Sequence, residues 1–143
     1  MEKYRIEQCL KEDVLKLLDI QQGSNYVYHM IYDMVMDEQV VYLKAVEEKK
    51  IAGYVSIRVV LDEAEVYHVG VLPGYRRQGI ARGLVGEAIK RAVDMGARKV
   101  FLEVNEKNAG AMDLYKGLGF EPIAKRQKYY GEDSAIIMEY KLS

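Results

Sequence analysis

The sequence predicts a mixed α/β sheet with helices on both faces, in the order βααβββαβαββ, and three observations predict it. The hydrophobic period switches between helical and alternating along the chain, and turn residues fall at the switches. Strands linked through a helix require parallel neighbours, whereas strands joined by tight turns require antiparallel ones.

Residues 4–7 alternate like a short strand. From about Lys11, the apolar positions Val14, Leu15, Leu17 and Leu18 follow helical spacing, and a second helix is expected from about Ser24 or Asn25 through Met36. Residues 40–46 and 51–57 then alternate around the polar turn Glu47-Glu48-Lys49-Lys50, a hairpin. A third strand, 64–71, stops at Leu72-Pro73-Gly74. Ile80, Leu84, Val85, Ala88, Ile89, Ala92 and Val93 form the stripe of the longest helix, which Gly96 should close in a left-handed conformation. Residues 100–104 read as a strand, 109–118 as a helix closed by Gly119, and the last two strands surround Gly131-Glu132-Asp133.

The 143 residues suit one domain. With 50% hydrophobic and 30% charged residues and no long apolar run, a soluble protein is expected rather than a membrane span. Met1-Glu2-Lys3-Tyr4 begins no signal peptide, so the cytosol is the expected compartment. Cys9 is the only cysteine, which excludes an internal disulfide, and two distant histidines, His29 and His68, offer no metal-ligand pattern. A net charge of −1 gives no bulk attraction to nucleic acid, so any anion site must be local.

The segment Arg76-Arg77-Gln78-Gly79-Ile80-Ala81-Arg82 is the candidate for such a site. Arginines crowd a helix entrance that already carries partial positive charge, and Gly79 lets the backbone adopt positive φ and approach a ligand. Successive N–H groups from about Arg77 to Ala81 can converge there on a phosphate. The plainer reading is a helix start with a solvated basic turn. Neither the P-loop nor the Gly-x-Gly-x-x-Gly pattern is present.

Arg76-x-x-Gly79-x-Ala81, preceded by Val69-Gly70-Val71-Leu72-Pro73-Gly74-Tyr75, resembles the Q/R-x-x-G-x-G/A signature of the GNAT superfamily of N-acetyltransferases. Asn108 to Phe120 is similar to that family's N-x-x-A-x-x-L-Y-x-x-x-G-F block. The resemblance covers nearly the whole chain and is strongest to the ribosomal-protein-alanine branch. It implies the GNAT fold and acetyl-CoA as cosubstrate, with Val69, Gly70, Val71, Arg76, Arg77, Gln78, Gly79, Ile80, Ala81, Arg82, Asn108 and Tyr115 in contact with it. Direct attack of an amine in a ternary complex follows, with no acyl-cysteine step, because Cys9 lies beside none of these motifs.

Glu103 is a carboxylate inside an apolar strand expected to be central, where burial would favour it as a base; the alternative is a strand-end glutamate paired with Lys99 or Arg98. The Leu-Glu-Val context resembles the one that carries the family's base. Asn108 and Tyr115, seven residues apart, fall on one side of a helix, and the resemblance assigns Tyr115 to protonating the departing sulfur. His68 is the rival base. Lys125 to Met138 is similar to the loop hairpin of N-α-acetyltransferases, which makes Tyr129 and Tyr130 candidates for the acceptor. The family's Phe-x-x-Pro-Trp-like wall is replaced by Gln21 to Tyr28, which makes Tyr28 a candidate, with Tyr26 and Tyr32 as replacements or core. The expected acceptor is a protein N-terminus, such as that of a ribosomal protein. A small amine or lysine side chain, and an acyl-CoA-binding module without turnover, remain the alternatives.

Overall fold

A computed structural model describes residues 4–21, 26–76 and 79–142, with the side chains of residues 128–130 left out. The elements are β1 (Arg5–Gln8), a 3-10 turn, α1 (Val14–Ile20), α2 (Tyr28–Met36), β2 (Val40–Glu47), β3 (Lys50–Val60) and β4 (Glu63–Val71). After a second 3-10 turn come α3 (Ile80–Asp94), β5 (Lys99–Asn105), α4 (Ala109–Leu118), β6 (Phe120–Tyr130) and β7 (Asp133–Tyr140). The predicted order is therefore found. The strands form a seven-stranded sheet in the order β1-β2-β3-β4-β5-β7-β6, antiparallel except between β4 and β5.

Alternation along the strands divides the apolar side chains between two layers. Val41, Leu43, Ala45, Val55 and Ile57 meet Leu84, Val85, Ala88 and Ala92 of α3. On the other face, Val40, Tyr42 and Tyr54 meet Val14 and Leu17 of α1 and Ile31, Met34 and Val35 of α2. Each fully buried aliphatic side chain contributes roughly 1.5–3 kcal/mol, so both helical layers are held by burial. A largely buried Lys44–Asp13 pair at 2.8 Å ties the first helical segment to β2.

Two boundaries differ from expectation. The helix expected from Ser24 or Asn25 is observed from Tyr28; Val27 is extended at φ −117° and ψ 170°, and residues 22–25 lie outside the described set. Tyr26 has a packing reason to stay out of the helix, because its ring meets His68 edge-on at 5.6 Å. The β2–β3 turn is also tighter than expected. Glu47 pairs with Lys50, and Glu48 and Lys49 turn the chain with φ of 50° and 71°, the twist that favours two-residue hairpins. No glycine or asparagine announces it. Gly96 and Gly119 do take left-handed φ, as expected.

The β4–β5 junction positions everything that follows. Its ladder has three pairs, Glu63 to Glu65 against Lys99 to Phe101, and ends there although both strands continue. β4 stays paired with β3 to Val71, while β5 stays paired with β7 to Asn105. The sheet thus splits. A register shift between Ser56 and Ile57 leaves Tyr67 unmatched, a bulge in β4 two residues beyond the last ladder pair at Glu65. Among the described residues, no helix is long and apolar enough to cross a membrane.

Candidate active site

On the α3 and α4 side of the split lies a cleft of about 730 Å³. Val69, Gly70 and Val71 of β4 form its floor; Tyr75, Arg76, Gly79, Ile80, Ala81 and Arg82 form one wall, and Asn108, Ala111, Leu114, Gly117 and Leu118 the other. Gly79 is the N-cap of α3 at φ 77°, and a Cβ there would meet no atom within 4 Å. Glycine is required for the dihedral, not for space. The first intrahelical bond runs from the Gly83 N–H to the Gly79 carbonyl at 3.0 Å, so the N–H groups of Ile80, Ala81 and Arg82 have no acceptor within the helix. No side chain caps them. Arg77 and Gln78, expected to share this cradle, lie outside the described residues.

Two arginines frame the opening. Arg76 Nε donates to the Val71 carbonyl at 3.0 Å, and Arg82 Nη2 reaches the Gly117 carbonyl at 2.9 Å, tying the start of α3 to the end of α4. Each guanidinium has five N–H donors, so each can also serve a phosphate. Asn108 caps α4, its Oδ1 accepting from the Ala111 N–H at 3.0 Å, while its residue lines the cleft. Because the β4 edge carries no ladder to β5 beyond Glu65, its backbone groups can pair with an extended ligand. Converging N–H groups, two guanidinium groups and an apolar slot fit an elongated thioester carrying phosphates, as acetyl-CoA does.

Gly70 is fixed by a close approach. A Cβ on it would lie 2.5 Å from the Tyr54 hydroxyl. Tyr54 in turn stacks on His68 at 5.2 Å and 7° between planes. Burial lowers the His68 pKa, which favours neutral imidazole. Tyr115 does not line the cleft directly; its ring packs edge-on against Phe120 at 6.0 Å, within electrostatic reach of Tyr54. Burial raises the Tyr115 pKa, so the phenol keeps its proton at neutral pH, the state that a donor needs.

Glu103 opens onto the opposite face. Val100, Leu102 and Val104 enter the core beneath α3, so alternation turns Phe101 and Glu103 away from it. Glu103 lines a cavity of about 410 Å³ with Arg58, Glu65, Tyr67, Phe101, Arg126 and Ile137. Its ion-pair partner is Arg126 of β6 at 3.2 Å, not the Lys99 or Arg98 that its own strand offered. The sequence reading passed over Glu65, one of several alternating polar residues on β4. Partial burial raises its pKa, the Glu103 charge raises it further, and Arg126 lowers it. The register of Glu65 against Phe101 is the signal that places it here, and it depends on knowing which strands pair.

The remaining candidates divide. Tyr26 packs on His68, whereas Tyr28 is exposed on the first turn of α2 and stacks with Tyr32 at 6.3 Å. Tyr129 and Tyr130 end β6, and their side chains lie outside the described set. Cys9 is buried under α1 and α2, and that burial raises its thiol pKa well above the usual range, the opposite of what a nucleophile needs.

Comparison with known proteins agrees with this geometry. The profile of the Acetyltransferase (GNAT) family matches residues 8–120. Escherichia coli ribosomal protein bS18-alanine N-acetyltransferase is 39% identical over 98 residues, covering 66% of each chain; its Haemophilus influenzae counterpart is 30% identical over 141 residues, covering 94% of each. The crystal structure of the Escherichia coli enzyme superposes with a TM-score of 0.85 at 27% identity, covering 98% of this chain and 96% of that one. Arabidopsis thaliana NAA60 in complex with acetyl-CoA shares the fold, with a TM-score of 0.86 at 20% identity, covering 96% and 97%. The chain belongs to the GNAT family and is an acetyl-CoA-dependent N-acetyltransferase.

Proposed function

We propose that this protein transfers the acetyl group of acetyl-CoA to the α-amine of a protein N-terminus, by direct attack in a ternary complex. One observation supports the reading: the β4–β5 ladder ends between a cleft rich in backbone donors on one face and an acidic cavity on the other. The names of the Escherichia coli and Haemophilus influenzae relatives support a ribosomal-protein N-terminus as acceptor. We place the 143 residues as one catalytic domain working in the cytosol.

Acetyl-CoA supplies an activated thioester. The orphan N–H groups of Ile80 to Arg82, with Arg76, hold its diphosphate, and the β4 backbone at Val69 to Val71 aligns the acyl arm and offers a donor to the oxyanion. The sequence signature is the ground for assigning Arg77 and Gln78 to the same diphosphate. Glu103 removes the amine proton, directly or through one water, with His68 as the alternative acceptor. An α-amine needs only a modest base, since its pKa is ~8 against ~10.4 for lysine. Tyr115 donates to the departing sulfur. Tyr26 and His68 are assigned to the acceptor side, and the sequence resemblance is the ground for adding Tyr28, Tyr129 and Tyr130.

The acidic cavity also suits a polyamine, and one assay separates the two acceptors. Release of CoA thiol is measured with peptides of varied first residue, lysine-containing peptides blocked at the N-terminus, polyamines and free amino acids. Turnover is expected with unblocked peptides, and a preference for polyamines or blocked peptides would overturn the assignment.

A further inference from the structure

The Arg126–Glu103 pair creates a difficulty for the mechanism. The guanidinium holds one of the two Glu103 oxygens, Oε1, at 3.2 Å, so an arriving ammonium must approach a carboxylate beside which a cation already sits, and the two cations repel one another. Resting on the acyl-transfer reading above, we propose that Arg126 is a movable counter-ion, which passes from Glu103 to Glu65 as the acceptor ammonium arrives and so frees Glu103 to take the proton.

Geometry carries the proposal. Glu65 on β4 and Glu103 on β5 share one cavity and one sheet face, and Arg126 reaches that cavity from β6 across Ile137 of β7. The Arg126 side chain is 50% exposed against 24% for Glu103, so the guanidinium is the more solvated partner and the easier one to relocate. Exposed pairs of this kind contribute only about 0–1 kcal/mol, a small barrier to exchange. Glu65 is a fitting second seat, because its carboxylate already feels both Glu103 and Arg126.

The other charged groups facing the pair do not replace Arg126. Arg58 of β3 is held by Asp37 of the α2–β2 loop at 2.8 Å and lies over the Tyr67 ring at 5.7 Å. Asp62 and Glu63 add negative charge at the far end of the cavity, and Glu139 of β7 is the register partner of Phe101.

The charge balance closes. Two carboxylates and one guanidinium leave one negative charge, which the entering ammonium neutralises. The proton then moves from the α-nitrogen to a Glu103 oxygen, leaving a neutral amine, a neutral carboxyl and an Arg126–Glu65 pair. Arg126 is accordingly a positioning residue, acting through Glu103.

The test compares wild type, Glu65→Gln, Arg126→Gln and the double variant with an unblocked peptide and acetyl-CoA. Glu65→Gln strands the guanidinium on Glu103 and is expected to lower kcat roughly tenfold with KM for acetyl-CoA unchanged, and adding Arg126→Gln should recover most of that loss. In parallel, the Arg126 Nε–H resonance should shift on adding an unreactive CoA–peptide conjugate in wild type but not in Glu65→Gln. Equal loss with and without Arg126 would show that Glu65 acts directly on the substrate and would overturn the exchange, as would the same resonance shift in both proteins. Wild type that binds acetyl-CoA but acetylates no peptide removes the acceptor reading itself, a result distinct from either.

Discussion

The two sides of the split are built from different materials. The cofactor cleft is largely backbone: a left-handed Gly79, the orphan amides that follow it, and the unladdered edge of β4. The acidic cavity is largely side chain: Glu65, Glu103 and Arg126 converge from three strands. A backbone site tolerates exchange of most side chains and fails when a dihedral fails, whereas a side-chain site fails one functional group at a time. On the function proposed above, a common core serves as cofactor holder, while the opposite face sets the acceptor.

Four substitutions can break or sharpen that contrast. The largest effect is expected from Glu103→Gln, which should lower kcat roughly 100-fold or more while acetyl-CoA affinity is kept, because the residue opens on the other face. Stopped-flow turnover and calorimetry together check this, and a parallel loss of affinity would merge the two sites. Tyr115→Phe should slow turnover on the order of tenfold with little change in cofactor binding. Equal turnover in the two proteins removes the phenol from the mechanism. At Gly79 a Cβ would meet no atom within 4 Å, but Val must hold φ near 77° at a cost of roughly 1–2 kcal/mol; the apo protein should melt a few degrees lower, and a turn that relaxes to escape the strain misplaces the amides, so affinity for acetyl-CoA should fall about tenfold.

The smallest effect concerns acid stability. Burial lowers the His68 pKa from 6.5, so below that value the unfolded chain binds the proton more readily than the folded one. Stability should therefore decline as pH falls through the unfolded pKa, and His68→Gln should flatten that decline in denaturant titrations run at neutral and mildly acidic pH. An unchanged slope would assign the acid loss to other groups.

This same contrast explains what the sequence revealed. Gly79, Gly96 and Gly119 announce positive φ, and the stripe from Ile80 to Val93 announces α3, because backbone demands restrict residue type locally. The helix entrance at Gly79 was legible for that reason. Glu103 stood out only as a charge in an apolar strand, and its partner Arg126 sits 23 positions later (126 − 103) on a strand two places away. Glu65 was invisible, since alternation makes it look like any solvent-facing residue until the short β4–β5 ladder sets it beside Phe101. Glu48 and Lys49 show the converse failure: strand pairing imposed a positive-φ turn on residues that do not favour one.

Calorimetric titration of acetyl-CoA into wild type, Glu103→Gln and Gly79→Val tests the separation of the two sites most directly. The structure predicts matching affinity for the first two and weaker binding for the third. No heat of binding with wild type, or equal weakening in both variants, would contradict it.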